Sequence, residues 1–181
     1  EQGQQRVKES VKELLERKGY KPYQYQLDAF SQALTIINSP DTPNGLIVSD
    51  VVGLGKSVIA SLIAKNLGKR GVIICPPGLI GDENKRSGWK KYKEDFELHD
   101  WEIRACGLEN LERTLELLKE NSEYEVIIVD EVHRFRNQDT EAYETLSNIC
   151  RDKIVILLSA TPFSNTPADI FSLLKLFVVP G

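Results

Sequence analysis

The sequence is poor in the residues that build disulfide frameworks, metal centres and membrane spans. Its 181 residues include three cysteines, two histidines and no methionine. Because Cys75, Cys106 and Cys150 are far apart and form no Cys-x-x-Cys pair, they argue against a disulfide framework or a zinc site and indicate a reducing compartment. No apolar run approaches the roughly 20 residues that a membrane-spanning helix needs, and the N-terminus does not resemble a signal peptide. These absences predict a soluble intracellular protein with no membrane partner.

The chain also lacks an excess of positive charge. It has 23 Lys and Arg against 27 Asp and Glu, a formal net charge of -4, so any contact with nucleic acid needs a local basic patch. The length and the hydrophobic content of 41% are sufficient for one well-packed domain. Because the sequence begins at Glu1 and contains no methionine, we interpret it as a piece of a longer protein.

From residue 45 onward, short apolar runs alternate with helical segments. The runs are LIVS, VIIC, VIIVD and IVILLSA, with EIRAC as a weaker fifth. Helical periodicity is clearest from Ser57 to Leu67 and from Leu111 to Leu118. Strands that are apolar throughout are expected when helices cover both faces of a parallel sheet. The pattern therefore predicts an α/β fold with a mostly parallel central sheet and helices on both faces.

Two helical patterns precede this region. Val7, Val11, Leu14 and Leu15 recur at helical spacing, and Gly19 follows as a stop signal. A second pattern runs over residues 27–37 and ends in the turn-rich stretch NSPDTPNG. We assign residues 1–22 to an amphipathic helix and lead-in, and residues 23–181 to one domain.

The stretch SDVVGLGKS follows the first apolar run and looks like a phosphate-binding loop that lacks the first glycine of the usual pattern. A loop between a buried strand and a helix gathers backbone N–H groups that can bind phosphate. The lysine can place a positive charge on the β and γ phosphates, and the serine hydroxyl can ligate Mg²⁺. The alternative is a glycine-rich turn that binds nothing. The candidate nucleotide-binding residues are Gly53, Leu54, Gly55, Lys56 and Ser57.

A second element, VIIVDEVHRFRN, places Asp130 and Glu131 at the end of another apolar run. One carboxylate there can hold Mg²⁺ through water, and the adjacent one can orient and deprotonate an attacking water. Two acids at a strand end are often only solvated. Here the loop GLGKS favours a site, because parallel strands end at one edge of the sheet, where ligands of open α/β sheets bind.

Together these segments resemble superfamily 2 helicase-like ATPases, in particular the swi/snf-like branch of DNA translocases. DEVHRFRN is similar to the Asp-Glu-x-His box of that branch, and DVVGLGKS is similar to its motif I, in which an acidic residue such as Asp50 often stands early. SATPFSN is similar to motif III, VIICPPGLI with Trp89 to motif Ia, and YQLDAF to the Q motif. The resemblance spans about Tyr23 to Phe177. It implies that residues 23–181 form a RecA-like ATP-binding lobe 1, whose second lobe lies outside this chain.

The resemblance also implies roles for individual residues. ATP and Mg²⁺ are the implied cofactors, with Gln26 reading the adenine, Asp130 holding Mg²⁺ and Glu131 acting on the catalytic water. The residues implied to couple hydrolysis to movement are His133, Ser159, Ala160 and Thr161. Double-stranded DNA is the implied partner, and the protein would be cytoplasmic and nucleoid-associated in a bacterium or nuclear in a eukaryote. Because lobe 2 supplies arginine fingers, lobe 1 alone is expected to be nearly inactive.

One dense basic cluster, NKRSGWKKYKEDF, interleaves cations with aromatic residues. Such a mixture can hold a phosphate backbone and stack on bases. Trp89, Tyr92 and Phe96 are spaced i, i+3 and i+7, which places them on one helix face and predicts that they are core residues. The lysines are then either a solvated face or a backbone contact. The candidate nucleic-acid contacts are Pro76, Lys85, Arg86, Lys90 and Lys91.

Three other interpretations remain open. A strand-separating DNA or RNA helicase would share these motifs, although RNA-directed members typically carry Asp-Glu-Ala-Asp where this chain has DEVH. A nucleotide-sensing scaffold that has lost hydrolysis has no need to retain Lys56, Asp130 and Glu131 together. A small-molecule kinase would leave the Ser-Ala-Thr segment without a role.

Overall fold

A computed structural model describes residues 12–20, 45–49, 56–137 and 140–159. The strands are β1 (Gly45–Ser49), β2 (Arg70–Cys75), β3 (Glu102–Ala105), β4 (Tyr124–Val129) and β5 (Ile154–Ser159). The helices are α1 (residues 12–17), α2 (Lys56–Leu67), α3 (Gly88–Asp95), α4 (Leu108–Glu120) and α5 (Thr140–Cys150), and 3-10 turns span Pro77–Leu79 and Val132–Asn137. None of the helices in these ranges is long and apolar enough to cross a bilayer. The predicted helix over residues 27–37 lies outside the described residues.

The five strands form one parallel sheet in the order β1-β5-β4-β2-β3. Because every neighbouring pair is parallel, the carboxyl ends of the strands lie along one edge. Ser49 pairs with Ser159 at that edge, and Val129 pairs with Ile74 on one side and with Leu157 on the other. The five predicted strands are confirmed, including the weakest, and so is the parallel arrangement.

Both faces of the sheet are covered, which explains why the inner residues of its central strands are apolar at successive positions. Ile73, Ile128 and Ile156 belong to a core cluster with residues of α1, α2 and α3. Their neighbours Ile127 and Val155 belong to a second cluster with residues of α4 and α5. Successive strand residues point to opposite faces, so a sheet with helices on both sides buries all of them.

The first core cluster holds α1 against α3. Leu15 is fully buried in this cluster, and Tyr20 stacks on Phe96 with ring centroids 5.6 Å apart. The Tyr20 hydroxyl donates to Asp95 Oδ2 at 2.6 Å, and Lys91 Nζ contacts the same carboxylate oxygen at 2.7 Å. The predicted N-terminal helix is therefore seen in its C-terminal half, packed on the α/β core.

The polar segment between Leu79 and Trp89 forms a loop whose two ends lie against each other. Gly88 has φ +63°, and a Cβ there would lie 2.6 Å from the carbonyl oxygen of Leu79 and 2.7 Å from the amide nitrogen of Gly81. The Lys90 N–H donates to the Ile80 carbonyl at 2.8 Å. Only glycine permits this approach of backbone to backbone, and the contact fixes the start of α3 against the segment that follows β2.

Candidate functional site

The N-terminus of α2 lies at the carboxyl edge of the sheet and begins with two of the predicted site residues. Lys56 is only 6% exposed, and Ser57 is half-buried, with its carbonyl accepting a hydrogen bond from the Ser61 hydroxyl. A helix N-terminus carries unpaired N–H groups and a partial positive charge that favour an anion. Four other predicted nucleotide contacts, Gln26, Gly53, Leu54 and Gly55, lie outside the described residues.

Asp130 follows β4 at the same edge. Its N–H donates to the Ile74 carbonyl at 2.8 Å and so extends the pairing of β4 with β2 by one residue. Its carboxylate is 5% exposed, and each oxygen accepts a hydrogen bond: Oδ1 from the Glu131 N–H at 2.8 Å and Oδ2 from Trp89 Nε1 at 2.9 Å. The side chain is thus held in one orientation from two sides.

Burial and neighbouring charges set the protonation of this carboxyl. Burial raises the pKa of Asp130 above its usual range, and the negative charge of Glu131 adds to the rise. The hydrogen bond from Trp89 and the positive charge of Lys56 act in the opposite direction. A carboxylate buried beside a lysine, with its charge only partly compensated, favours the arrival of a further cation.

Glu131 occupies a turn directly after the strand. Its φ is +56°, in the left-handed region that non-glycine residues seldom adopt, and its carbonyl accepts the N–H of Arg134 at 3.0 Å. The following 3-10 turn is anchored by Val132 and Phe135, both buried in the second core cluster. Uncommon backbone geometry of this kind is concentrated at functional sites.

The predicted coupling residues are only partly described. His133 lies within the 3-10 turn Val132–Asn137, and Ser159 is the last residue of β5, paired with Ser49 of β1. Ala160 and Thr161 lie outside the described residues. The backbone thus brings Ser159 to the edge that carries Asp130, while the coupling role itself stays a prediction.

Cys75 ends β2 at this edge and is fully buried. Burial, followed by the negative charge of Asp130, raises the pKa of the Cys75 thiol to about 12. The thiol is therefore neutral at physiological pH, and it packs as a small apolar side chain near the carboxylate rather than acting as a nucleophile.

The four candidate cations for nucleic-acid contact lie on the polar segment before α3 and on α3 itself, and each of the three lysines has an acidic partner. Lys85 pairs with Glu94 at 3.2 Å and Lys90 with Glu83 at 3.4 Å. Exposed pairs of this type contribute only about 0–1 kcal/mol, so a phosphate can replace the carboxylate at little cost.

The remaining candidates differ in their surroundings. Lys91 pairs with the half-buried Asp95 and also lies 4.3 Å from the ring centroid of Tyr20, so it is bound more firmly to the protein. Arg86 is exposed, whereas Pro76 is buried. The predicted core role is confirmed for Trp89 and Phe96, which are 1% and 0% exposed, while Tyr92 is partly buried against the same cluster.

The donor set fits a Mg²⁺ ion that arrives with a nucleotide. In the described ranges no three His, Cys, Asp or Glu side chains come together as a self-sufficient metal centre. Mg²⁺ characteristically uses one or two protein ligands, keeps several waters and takes further oxygens from substrate phosphates. Asp130, held rigidly with one lone-pair position left on each oxygen, and the Ser57 hydroxyl suit that arrangement.

One contact of the site was not identified from the sequence. Trp89 was assigned to the core by its helical spacing, and its bond to Asp130 joins residues 41 positions apart. The available signal was chemical: a buried indole N–H needs an acceptor, and helix α3 has none to offer because its own carbonyls are used within the helix.

A parallel sheet with helices on both faces, a lysine at the N-terminus of α2 and an Asp-Glu pair at a strand end are the features of a RecA-like lobe. A family model described as "SNF2-related domain" matches residues 78–181. The chain belongs to this family, and the predicted swi/snf-like relationship is confirmed.

The curated relatives include an uncharacterized ATP-dependent helicase, YqhH, of Bacillus subtilis, which is 29% identical over 90% of this chain and 30% of its own length. The chromodomain-helicase-DNA-binding protein 1-like of Mus musculus is 32% identical over 72% of this chain and 17% of its own length. The chain therefore spans less than a third of the length of these relatives.

Among solved structures, the SWI2/SNF2 ATPase core of Sulfolobus solfataricus, determined in complex with double-stranded DNA, matches with a TM-score of 0.63 and 18% identity. The match covers 85% of this chain and 35% of that one. It confirms the RecA-like α/β fold.

Proposed function

We propose that this chain is the first ATP-binding lobe of a DNA-dependent ATPase that translocates on double-stranded DNA. Membership of the SNF2-related family supports the proposal, as does the DNA in the structure of the Sulfolobus relative. The observation that carries it is that Lys56 and Asp130, two buried residues of opposite charge that interact electrostatically, lie at the edge of the sheet where ligands of such folds bind.

Each residue would act through chemistry suited to its position. Lys56, at the N-terminus of α2, would bind the β and γ phosphates, with the helix N–H groups beside it. Ser57 and Asp130 would hold Mg²⁺, the latter largely through water, and that ion supplies neutralisation of phosphate charge when it is bound. Glu131, one residue beyond Asp130, would orient the attacking water and accept its proton.

The chain would need a second lobe to complete the reaction. In related nucleotidases an arginine finger contributes about 10³–10⁵ in rate. We therefore expect lobe 1 alone to bind ATP weakly and to hydrolyse it very slowly. Robust DNA-stimulated turnover by the 181-residue chain would contradict this division of labour.

The decisive experiment is ATPase stimulation of the full-length protein by duplex DNA, single-stranded DNA and RNA in turn. We expect duplex DNA to stimulate most strongly. The matched control is Lys56→Ala, which should remove turnover with all three nucleic acids because it removes the phosphate-binding charge. Stimulation by RNA or by single strands alone would refute the duplex-translocase proposal and favour a strand-separating helicase.

A triplex-displacement assay separates movement from simple activation. A translocase should release a third strand from duplex DNA in an ATP-dependent reaction without separating the duplex strands. Strong ATP hydrolysis without displacement would show that the lobe belongs to a DNA-activated ATPase that does not move.

A further inference from the structure

The Asp130 carboxylate is held by two donors that come from different parts of the chain. The Glu131 N–H bonds Oδ1 at 2.8 Å, and this contact is local. The Trp89 indole N–H donates to Oδ2 at 2.9 Å. It comes from α3, which packs on the face of the sheet that carries the first core cluster. Each carboxylate oxygen has two acceptor positions, so one remains on each after these bonds are made. The directions of the remaining positions are fixed by the two donors together.

Trp89 is itself rigidly placed. It is 1% exposed and belongs to the first core cluster with Phe96, and Tyr92 meets its ring edge-on with centroids 5.6 Å apart. The residue before it is Gly88, whose backbone lies against the segment after β2. Packing therefore fixes the Trp89 side chain, so that its indole N–H points at the carboxylate in one defined direction.

We propose that Trp89 is a positioning residue of the nucleotide site, which orients the Asp130 carboxylate for the Mg²⁺ that accompanies ATP. The inference rests on the proposed function. Trp89 touches neither nucleotide nor metal in this assignment and acts only through Asp130. Loss of an outer donor of this kind typically weakens metal affinity by about 10–100-fold. Because Asp130 is expected to act largely through water, we expect the low end of that range.

The chain offers a matched control in Trp101. This residue is also buried, at 4% exposure, and its Nε1 also donates one hydrogen bond, to the carbonyl of Lys69 at 3.1 Å. That carbonyl precedes β2, at the opposite end of the strand from Cys75 and the site. Trp101→Phe and Trp89→Phe thus remove the same chemical group from the same kind of surroundings, and only one of them faces the carboxylate.

The test is to measure, by calorimetry, the equilibrium binding of ATP to the full-length protein at a series of Mg²⁺ concentrations. Trp89→Phe should raise the Mg²⁺ concentration for half-maximal binding about tenfold and leave binding in EDTA unchanged. Trp101→Phe should leave both unchanged. In an Asp130→Asn background, Trp89→Phe should have no further effect on the Mg²⁺ dependence, because its only route to the metal is gone.

A packing defect at position 89 is distinguished by a second replacement. Benzothienylalanine has the shape of tryptophan with sulfur in place of the N–H, so it keeps the core contacts and removes only the donor. It should reproduce the shift in Mg²⁺ dependence, with a melting temperature above that of Trp89→Phe because only the hydrogen bond and not the packing is lost.

An unchanged Mg²⁺ dependence with benzothienylalanine at position 89, or an equal change in Trp101→Phe, would overturn this inference and leave the proposed function standing. Absence of Mg²⁺-dependent ATP binding in the unmodified protein would overturn the proposed function and the inference with it.

Discussion

Replacing Gly88 by alanine tests how tightly the start of α3 is held. Gly88 has φ +63°, and Gly68, which follows α2, has φ +65°. The two glycines differ in their surroundings. A Cβ on Gly68 would meet nothing within 4 Å, whereas one on Gly88 would lie 2.6 Å from the Leu79 carbonyl oxygen and 2.8 Å from the Gly81 Cα. Gly68→Ala is therefore a control with the same backbone conformation and no contact.

The magnitudes follow from these two contributions. An alanine in the left-handed region costs about 1–2 kcal/mol, and both variants incur this cost. Only Gly88→Ala adds a steric cost, and its neighbours are backbone atoms that cannot rotate away. Overpacking of this kind typically costs about 1–3 kcal/mol. We expect Gly88→Ala to lose about 2–5 kcal/mol in all and Gly68→Ala about 1–2 kcal/mol.

The assay is thermal unfolding of both variants beside the unmodified chain, monitored by circular dichroism. For a domain of this size, 1 kcal/mol changes the melting temperature by about 2–4 °C. The steric part should therefore lower the melting temperature of Gly88→Ala by about 2–12 °C more than that of Gly68→Ala. Equal melting temperatures for the two variants would refute the close contact at Gly88.

Three further outcomes are expected. Glu131→Gln should keep Mg²⁺-ATP binding and lower ATPase turnover by about 10²–10⁴, whereas a nucleotide-sensing scaffold would behave as before in both assays. Asp95→Asn should reduce the free energy of unfolding at neutral pH by less than about 1 kcal/mol. Although burial alone would raise the pKa of Asp95, the hydrogen bonds from Lys91 and Tyr20 lower it overall. Its contribution to stability is therefore present above about pH 4 and lost as the pH falls through the folded-state pKa. In urea unfolding, Asp95→Asn should lower the free energy of unfolding at pH 7 more than at pH 2.5, and an equal loss at both would contradict the assignment. Cys75, Cys106 and Cys150 are all buried and their thiol pKa values are raised, chiefly by burial. A thiol-reactive dye at pH 8 should therefore label them only as the protein unfolds, and rapid labelling of Cys75 in the native chain would show that the site edge is open.

The sequence identified the layered fold because periodicity and composition report burial directly. In β4 the run from Val126 to Val129 is apolar at every position and has no solvated face, and only a sheet covered on both sides accommodates it. The same reasoning placed Trp89 and Phe96 in the core. The positions of Lys56 and Asp130 at one edge also followed, since parallel strands carry their carboxyl ends to the same side.

Contacts between side chains that are far apart in sequence could not be predicted from periodicity and composition. The bond from Trp89 to Asp130 depends on the crossing of α3 over the sheet, which no local pattern encodes. The basic cluster shows the same limit, because the sequence counts cations but does not reveal that Lys85 and Lys90 have acidic partners. Strand order is likewise a property of the assembled sheet, and neighbours in sequence, β1 and β2, are not neighbours in space.

The pairing of β1 with β5 has a consequence for how the protein is made. Gly45 pairs with Val155, about 110 residues later in the chain, and among the described strands β5 is the only partner of β1. At translation rates of about 5–20 residues per second, β1 waits about 5–20 s for that partner to be synthesised. The strand that leads into the predicted phosphate loop is thus completed after β2, β3 and β4 are available to pair. We expect pulse-labelling hydrogen exchange during refolding to protect β2 and β4 before β1, so that the proposed nucleotide site is the last part of the lobe to form.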